Sequence, residues 1–167
     1  MIKYLLLDRD GVLNKKSDEG QYVTSVDEFA RISAAFQLLS HCKTYDIKTF
    51  VVTNQQWVAR GIMSLQDVHD IHDHMQEELT KQWLRIDGFY VCPHHKDEQC
   101  PCRKPKPWLI HQLLSDYPDI QKNECLLIGD SDTDIQAAAR AWIVSYKIQS
   151  DTLWDHISII ISLLSQS

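Results

Sequence analysis

The chain has little of what a membrane or nucleic-acid protein needs. No apolar run is long enough to span a bilayer; the most apolar late stretch, Ile157 to Leu164, is broken by Ser158 and Ser162. The opening Met1-Ile2-Lys3-Tyr4 lacks the layout of a secretory signal. A cytoplasmic location with no membrane contact is the resulting expectation. Positive charge is also short, with 17 Lys and Arg against 23 Asp and Glu and a net charge of -6. That balance argues against a nucleic-acid partner. An anionic substrate would need a local basic site, because the overall field repels it. Internal repeats, low-complexity tracts and linkers are missing too. The 167 residues therefore read as one domain, 1–167, expected to be a monomer.

What is present is an alternation of short apolar runs and helical patterns. Tyr4–Leu7, Thr49–Thr53 and Cys125–Asp130 read as buried strands, with Ile86–Cys92 and Ile143–Ile148 as a third and a fifth strand. Helical spacing covers about 34–44, 65–84, 108–114, 135–141 and the stretch from Asp151 to about Leu164, with Asp151 as the expected cap of the last helix. Ser64 followed by Asp67 resembles a capping box, and Pro107 suits the first position of the third helix. The predicted fold is α/β: a Rossmann-like, mostly parallel five-stranded sheet with helices on both faces. No long insertion follows the first or third strand, so no large cap domain is expected.

The first strand stops at Asp8, and Asp10-Gly11 follows two residues later. In isolation these aspartates could simply cap a turn. Two carboxylates at the end of a buried strand otherwise need a partner, and oxygen ligands suit Mg²⁺. Strand carboxyl ends are also where open α/β sheets bind ligands. The second strand ends in Thr53-Asn54-Gln55, a hydroxyl with backbone N–H groups suited to a phosphate oxygen. The fourth ends, like the first, in an aspartate, Asp130.

Five cysteines occur, three of them crowded into Cys92-Pro93-His94…Cys100-Pro101-Cys102. In a cytosolic chain such crowding points to metal rather than disulfides. Cys92, His94, Cys100 and Cys102 supply a closed tetrahedral shell for structural Zn²⁺, with His95 a weaker candidate. Thiols in so polar a loop are expected to have no core to pack into. Cys42 and Cys125 read as inert buried thiols, and His69, His72 and His74 as ordinary helix histidines. Arg103 and Lys104 follow the last thiol directly and offer the local basic site.

Asp8-Arg9-Asp10-Gly11-Val12-Leu13-Asn14, Thr53, Lys104 and Gly129-Asp130 resemble, in order, the four motifs of the haloacid-dehalogenase (HAD) superfamily of phosphatases. With Ala59-Arg60-Gly61, Cys-Pro-His-His and Cys-Arg-Lys-Pro-Lys-Pro, the likeness narrows to that superfamily's zinc-containing branch and covers Ile2 to about Ala139. It implies Asp8 as a nucleophile forming an aspartyl-phosphate, Asp10 as general acid/base, and Thr53 and Lys104 as holders of the transferring phosphoryl group. It implies Mg²⁺ on Asp8, Asp130 and the carbonyl of Asp10. Substrate contacts would come from Asp18, Gly20 and Tyr22, which resemble an Asp-x-Gly-Tyr loop with Gln21 inserted, and from Asn54, Gln55, Arg60 and Arg103. The implied partner is a small phosphorylated metabolite. Removal of the 7-phosphate of a heptose 1,7-bisphosphate is favoured over histidinol phosphate, the alternative suggested by the short run between His94 and Cys100. A nucleic-acid-end phosphatase is disfavoured by the acidic balance. A catalytically silent zinc-bearing binding module is a reading of another class; it has no physical need for Asp8, Asp10, Thr53, Lys104 and Asp130 together. The chain departs from the branch at Trp57, expected to narrow the pocket, at Ser131, where a lysine is usual, and in lacking a glycine before the fifth strand.

Overall fold

The computed structural model describes residues 1–16 and 23–165. Five strands, β1 (Tyr4–Leu7), β2 (Lys48–Asn54), β3 (Gly88–Cys92), β4 (Cys125–Gly129) and β5 (Val144–Lys147), form one sheet in the order β3-β2-β1-β4-β5. Every pairing is parallel: Leu5 faces Thr49 on one side and Leu126 on the other. β1 is thus the central strand, and its side chains divide between two cores. Leu5 and Leu7 join Val51, Leu126 and Ile128 on one face, while Leu6 joins Phe50, Val52 and Leu127 on the other. Both faces are covered, which is why these strands read as unbroken apolar runs and not as alternating ones.

The first face is covered by α1 (Ser33–Thr44) and α5 (Leu153–Ser165), with Met75 and Leu79 of α2 (Leu65–Thr80). The second lies under α3 (Trp108–Asp116) and α4 (Asp132–Ala141). In α4 the buried residues are Ala137, Ala138 and Ala141, small enough to bring the helix axis close to the sheet. Val23, Met63, Val68 and Ile71 make a third, smaller cluster. Among the described residues no further sheet or helical layer stands over the strand ends, and no helix is long and apolar enough to cross a membrane.

Ser64 does cap α2, with both reciprocal hydrogen bonds to Asp67 present. The helix is shorter than its spacing predicts. It ends at Thr80; Trp83 then takes a left-handed φ of 59°, and Leu84 reaches the core from a turn, its N–H donating to Leu79 O. Asp151 does not occupy the cap of α5, which starts two residues later. At φ 62° it donates its N–H to Gly11 O and accepts the Lys16 N–H, tying the last helix to the turn after β1. The missing glycine before β5 is also accounted for. Trp142 sits at the C-cap of α4 with φ 63° and is 82% exposed. A residue with a Cβ therefore takes the left-handed position that glycine usually fills.

Candidate active site

The chain runs outward from β1 through β2 to β3, then returns to the other side of β1 for β4. The crevice between the carboxyl ends of β1 and β4 is therefore the topological switch point, where open α/β sheets bind ligands. Asp8 follows β1 there, and Asp130 follows β4. Carboxylate oxygens of Asp8, Asp130 and Asp134 all lie within 4.8 Å of one another. Two glycines make this crowding possible. A Cβ on Gly11, whose φ is +85°, would lie 2.2 Å from Asp130 Oδ2, and a Cβ on Gly129 would lie 2.3 Å from Asp134 Cβ.

Lys104 is the cation at the centre of the cluster. Its Nζ is buried and sits 3.1 Å from Asp8 Oδ1 and 2.5 Å from Asp134 Oδ1, and donates to Val52 O at 2.6 Å. Burial works to lower its pKa, but Asp134 and Asp8 more than offset this and hold it above the ordinary lysine range. Asn54 fixes the backbone behind it: its Oδ1 accepts from Lys104 N–H at 3.0 Å and its Nδ2 donates to Lys104 O at 3.1 Å. Asp134 is held from the other side by Ser131, whose N–H and hydroxyl both donate to Oδ2, completing the capping box of α4. The Asp8 carboxyl is pushed up to about 7, first by burial and then by Asp134, Asp10 and Asp130, with Lys104 opposing.

Asp10 has a different environment. Arg9, wholly buried, donates Nη2 to both Asp10 oxygens at 3.0 Å and Nε to one of them at 3.3 Å. Asn14 Nδ2 at 2.9 Å and Gln55 Nε2 at 2.8 Å complete the shell. Gln55 Nε2 also donates to Thr53 Oγ1 at 3.0 Å. Two carboxylates two residues apart are thus differentiated, one against a lysine and a carboxylate cluster, the other locked by an arginine and two amides.

These groups line a cavity of about 200 Å³ that includes Asp8, Asp10, Thr53, Asn54, Arg103, Lys104 and Asp130, together with Lys16. Lys16 Nζ reaches Asp130 Oδ2 at 2.5 Å. A hollow of about 280 Å³ at the other end of the sheet, around Leu39, Cys42 and Trp83, contains none of the predicted site residues. The site fits a divalent cation on its own chemistry: three clustered carboxylates, with Asp130 Oδ1 buried and without a hydrogen-bond partner.

Cys92, the last residue of β3, and the fifteen residues that link β3 to α3 carry a second cluster. Cys92 Sγ lies 3.6 Å from Cys100 Sγ, 3.2 Å from Cys102 Sγ and 3.7 Å from His94 Nδ1, which is itself 3.1 Å from Cys102 Sγ. A tetrahedral Zn²⁺ shell of these donors has edges of about 3.5–3.8 Å, given the usual bond lengths. No cysteine is in a disulfide. His95 stays outside the cluster, its ring accepting from Asp97 N–H at the start of a short 3₁₀ turn. The thiols are not in a coreless polar loop, as the sequence suggests: Cys92, Cys100 and Cys102 pack against the core beneath α3. Burial pushes the Cys92 thiol well above its ordinary range, so a thiolate at Cys92 needs a cation.

A family model described as haloacid dehalogenase-like hydrolase matches residues 3–141. The chain belongs to the haloacid dehalogenase-like hydrolases. The matched stretch contains both clusters and ends with α4. A Mycobacterium tuberculosis protein named D-glycero-alpha-D-manno-heptose-1,7-bisphosphate 7-phosphatase is 41% identical over 134 residues, covering 80% of this chain and 70% of its own. The Helicobacter pylori protein named for the beta anomer is 39% identical over 140 residues, covering 83% and 78%. The structure of D,D-heptose 1,7-bisphosphate phosphatase from B. bronchiseptica, complexed with magnesium and phosphate, superposes with a TM-score of 0.83 at 32% identity, over 95% of this chain and 87% of that one.

Within this hydrolase fold the predicted residues separate into groups. Asp8, Asp10, Thr53, Asn54, Arg103, Lys104 and Asp130 converge on the cavity. Gln55 lies behind it, where its side chain holds Asp10; its backbone N–H is already given to Cys92 O and is not free for a phosphate. Arg60 lies apart, with its guanidinium 4.6 Å above the Trp57 ring. Trp57 packs against the cluster of Val23, Met63, Val68 and Ile71 and does not line the cavity. Asp18, Gly20 and Tyr22 lie outside the described residues. Sequence reasoning missed Arg9, Asn14 and Asp134. The first two stand inside the quoted motif; the third is signalled by Ser131-x-x-Asp134, an N-cap pattern.

Proposed function

We propose that the chain is a phosphatase that passes a phosphoryl group through Asp8 and removes the 7-phosphate of a heptose 1,7-bisphosphate. The observation that carries the chemistry is the pairing of Asp8 with buried Lys104 at the switch point, beside an Asp10 in a separate shell. Asp8 attacks phosphorus and the bond to the sugar oxygen breaks, while Asp10 gives its proton to the departing alkoxide. Water then attacks the aspartyl-phosphate, its proton returning to Asp10, and inorganic phosphate leaves with the Asp8 carboxylate restored. Lys104 and the Thr53 hydroxyl stabilise charge on the phosphoryl oxygens.

Asp8, Asp130 and the carbonyl of Asp10 would hold Mg²⁺. Bound there, the ion supplies the positive charge that keeps Asp8 ionised near neutral pH and neutralises phosphoryl oxygens. The magnesium and phosphate in the B. bronchiseptica structure support this part of the reading. Cys92, His94, Cys100 and Cys102 would hold a structural Zn²⁺ that fixes the backbone from which Arg103 and Lys104 project.

The substrate reading rests on the names of the relatives and on Arg103, which lines the cavity and suits a second anionic group. It covers the heptose bisphosphate irrespective of anomer, since the two relatives are named for opposite ones. Histidinol phosphate offers an ammonium there, which Arg103 repels. Measuring kcat/KM for both compounds tests the proposal: the bisphosphate should be the better substrate, and a clear preference for histidinol phosphate would overturn it.

A further inference from the structure

The two oxygens of Asp130 have different surroundings. Oδ1 is buried and has no hydrogen-bond partner, whereas Oδ2 accepts from Lys16 Nζ at 2.5 Å. The Lys16 side chain is 31% exposed and lines the cavity with Asp8, Thr53 and Lys104. Its backbone is anchored. The Lys16 N–H donates to Asp151 Oδ1 at 3.3 Å, and the Asp151 N–H donates to Gly11 O at 2.9 Å. Gly11 in turn lies against Asp130. The ammonium therefore reaches from the turn after β1 to the end of β4 from a fixed base.

The carboxylates around this contact need positive charge. Oxygens of Asp8, Asp130 and Asp134 lie within 4.8 Å of one another. Lys104 pairs with Asp8 and Asp134, and among the described residues no ion pair joins it to Asp130. Arg9 is committed to Asp10. Lys16 is thus the cation that answers Asp130. Such a residue has two opposed effects on a divalent ion at the same carboxylate. It holds Asp130 beside Asp8 and Asp134 against their repulsion, and it sets a positive charge next to the ion. Two cations sharing one carboxylate stand about 5 Å apart given ordinary bond lengths. At about that distance even a water-like dielectric weakens binding of the divalent one about tenfold. The orienting effect is smaller, since a part-exposed ion pair contributes at most about fivefold. Repulsion therefore wins.

We propose that Lys16 is a positioning residue that serves as a built-in counter-ion for Asp130 and competes with Mg²⁺ for that carboxylate. It keeps the three carboxylates together and holds the affinity for the metal below what they would give alone. The inference rests on the Mg²⁺ reading above and goes beyond it by assigning a residue that opposes the metal.

The test uses the full chain, dialysed free of Mg²⁺ without a chelator so that the thiol cluster stays as purified. Lys16→Met keeps the apolar stem and removes the charge; Lys16→Arg keeps the charge. Calorimetric titration with Mg²⁺ at fixed ionic strength should give a Kd about tenfold tighter in Lys16→Met, and within about twofold of wild type in Lys16→Arg. Without Mg²⁺, Lys16→Met should melt below wild type, because its carboxylates have lost a counter-ion; saturating Mg²⁺ should narrow that gap. A Kd in Lys16→Met that is unchanged or weaker overturns the competition, and so does equal tightening in Lys16→Arg or a melting gap that Mg²⁺ does not narrow. No Mg²⁺ binding by wild type overturns the metal reading itself, whereas Mg²⁺ bound equally by wild type and Lys16→Met overturns only the role of Lys16.

Discussion

Replacing Arg9 with methionine tests whether Asp10 depends on a buried cation. Arg9 is fully buried, and its guanidinium makes three contacts with the Asp10 carboxylate at 3.0–3.3 Å and one with Gln55 Oε1 at 3.2 Å. Methionine fills much of the same volume but leaves the carboxylate with only Asn14 and Gln55 as donors. Removing one partner of a buried pair costs about 3–5 kcal/mol, because the other charge is left uncompensated. For a chain of 167 residues that corresponds to a Tm lowered by about 6–20 °C. The assay is a double-mutant cycle by thermal and urea denaturation, with Arg9→Met, Asp10→Asn and the two combined. Neutralising both partners removes the stranded charge, so the double variant should be more stable than Arg9→Met alone by about 1–3 kcal/mol. A single Arg9→Met variant as stable as wild type would refute the reasoning, as would a double variant no better than the single.

Three further outcomes are expected. Gly11→Ala places a methyl group against Asp130 at a φ that alanine avoids; Mg²⁺ affinity by calorimetry should fall at least tenfold, and an unchanged affinity would separate Asp130 from the metal. Metal analysis of protein never exposed to chelator should find about one zinc per chain, and stripping it should lower turnover because Arg103 and Lys104 follow the last thiol; full activity after complete removal would disconnect the loop from the site. His72 is stacked on Phe89 with ring centroids 4.4 Å apart, and burial, with Arg9 and His69 adding, pushes its pKa down to about 3. Its neutral form is favoured in the fold, so its contribution is complete above about pH 6.5 and is lost as pH falls toward 3, by about 2–3 kcal/mol at pH 4.5. His72→Phe should flatten the acid decline of Tm between pH 6.5 and 4.5, and an unaltered slope would count against that burial.

The sheet and the main site were legible because their signals are local. Tyr4–Leu7 is apolar on both faces only if covered on both, and Asp8 and Asp130 each stand one residue past such a run. The grouping of Cys92, His94, Cys100 and Cys102 was legible because their spacing has few other uses. What was not legible depends on the direction a side chain takes once the backbone turns. Arg9 stands between two aspartates and could serve either; only the turn at Gly11 shows that it faces Asp10 and the Gln55 amide. Asp134 announces a cap, but its pairing with Lys104 joins positions thirty residues apart and depends on how closely α4 approaches the sheet. The thiols looked coreless because three of the residues between His94 and Cys100 are charged; the packing beneath α3 comes from Leu109, Ile110 and Leu113, which lie later in the chain. The α2 boundary failed because Leu84 keeps the helical spacing while reaching the core from a left-handed turn.

The central claim is that a phosphoryl group passes through Asp8. Rapid quench of wild-type protein during turnover of the heptose bisphosphate, followed by borohydride reduction and peptide mass spectrometry, measures it directly. The account predicts homoserine at position 8, formed by reduction of an aspartyl-phosphate, absent without substrate and absent in Asp8→Asn. A modified residue at any other position, or continued turnover by Asp8→Asn at a rate near wild type, would contradict it.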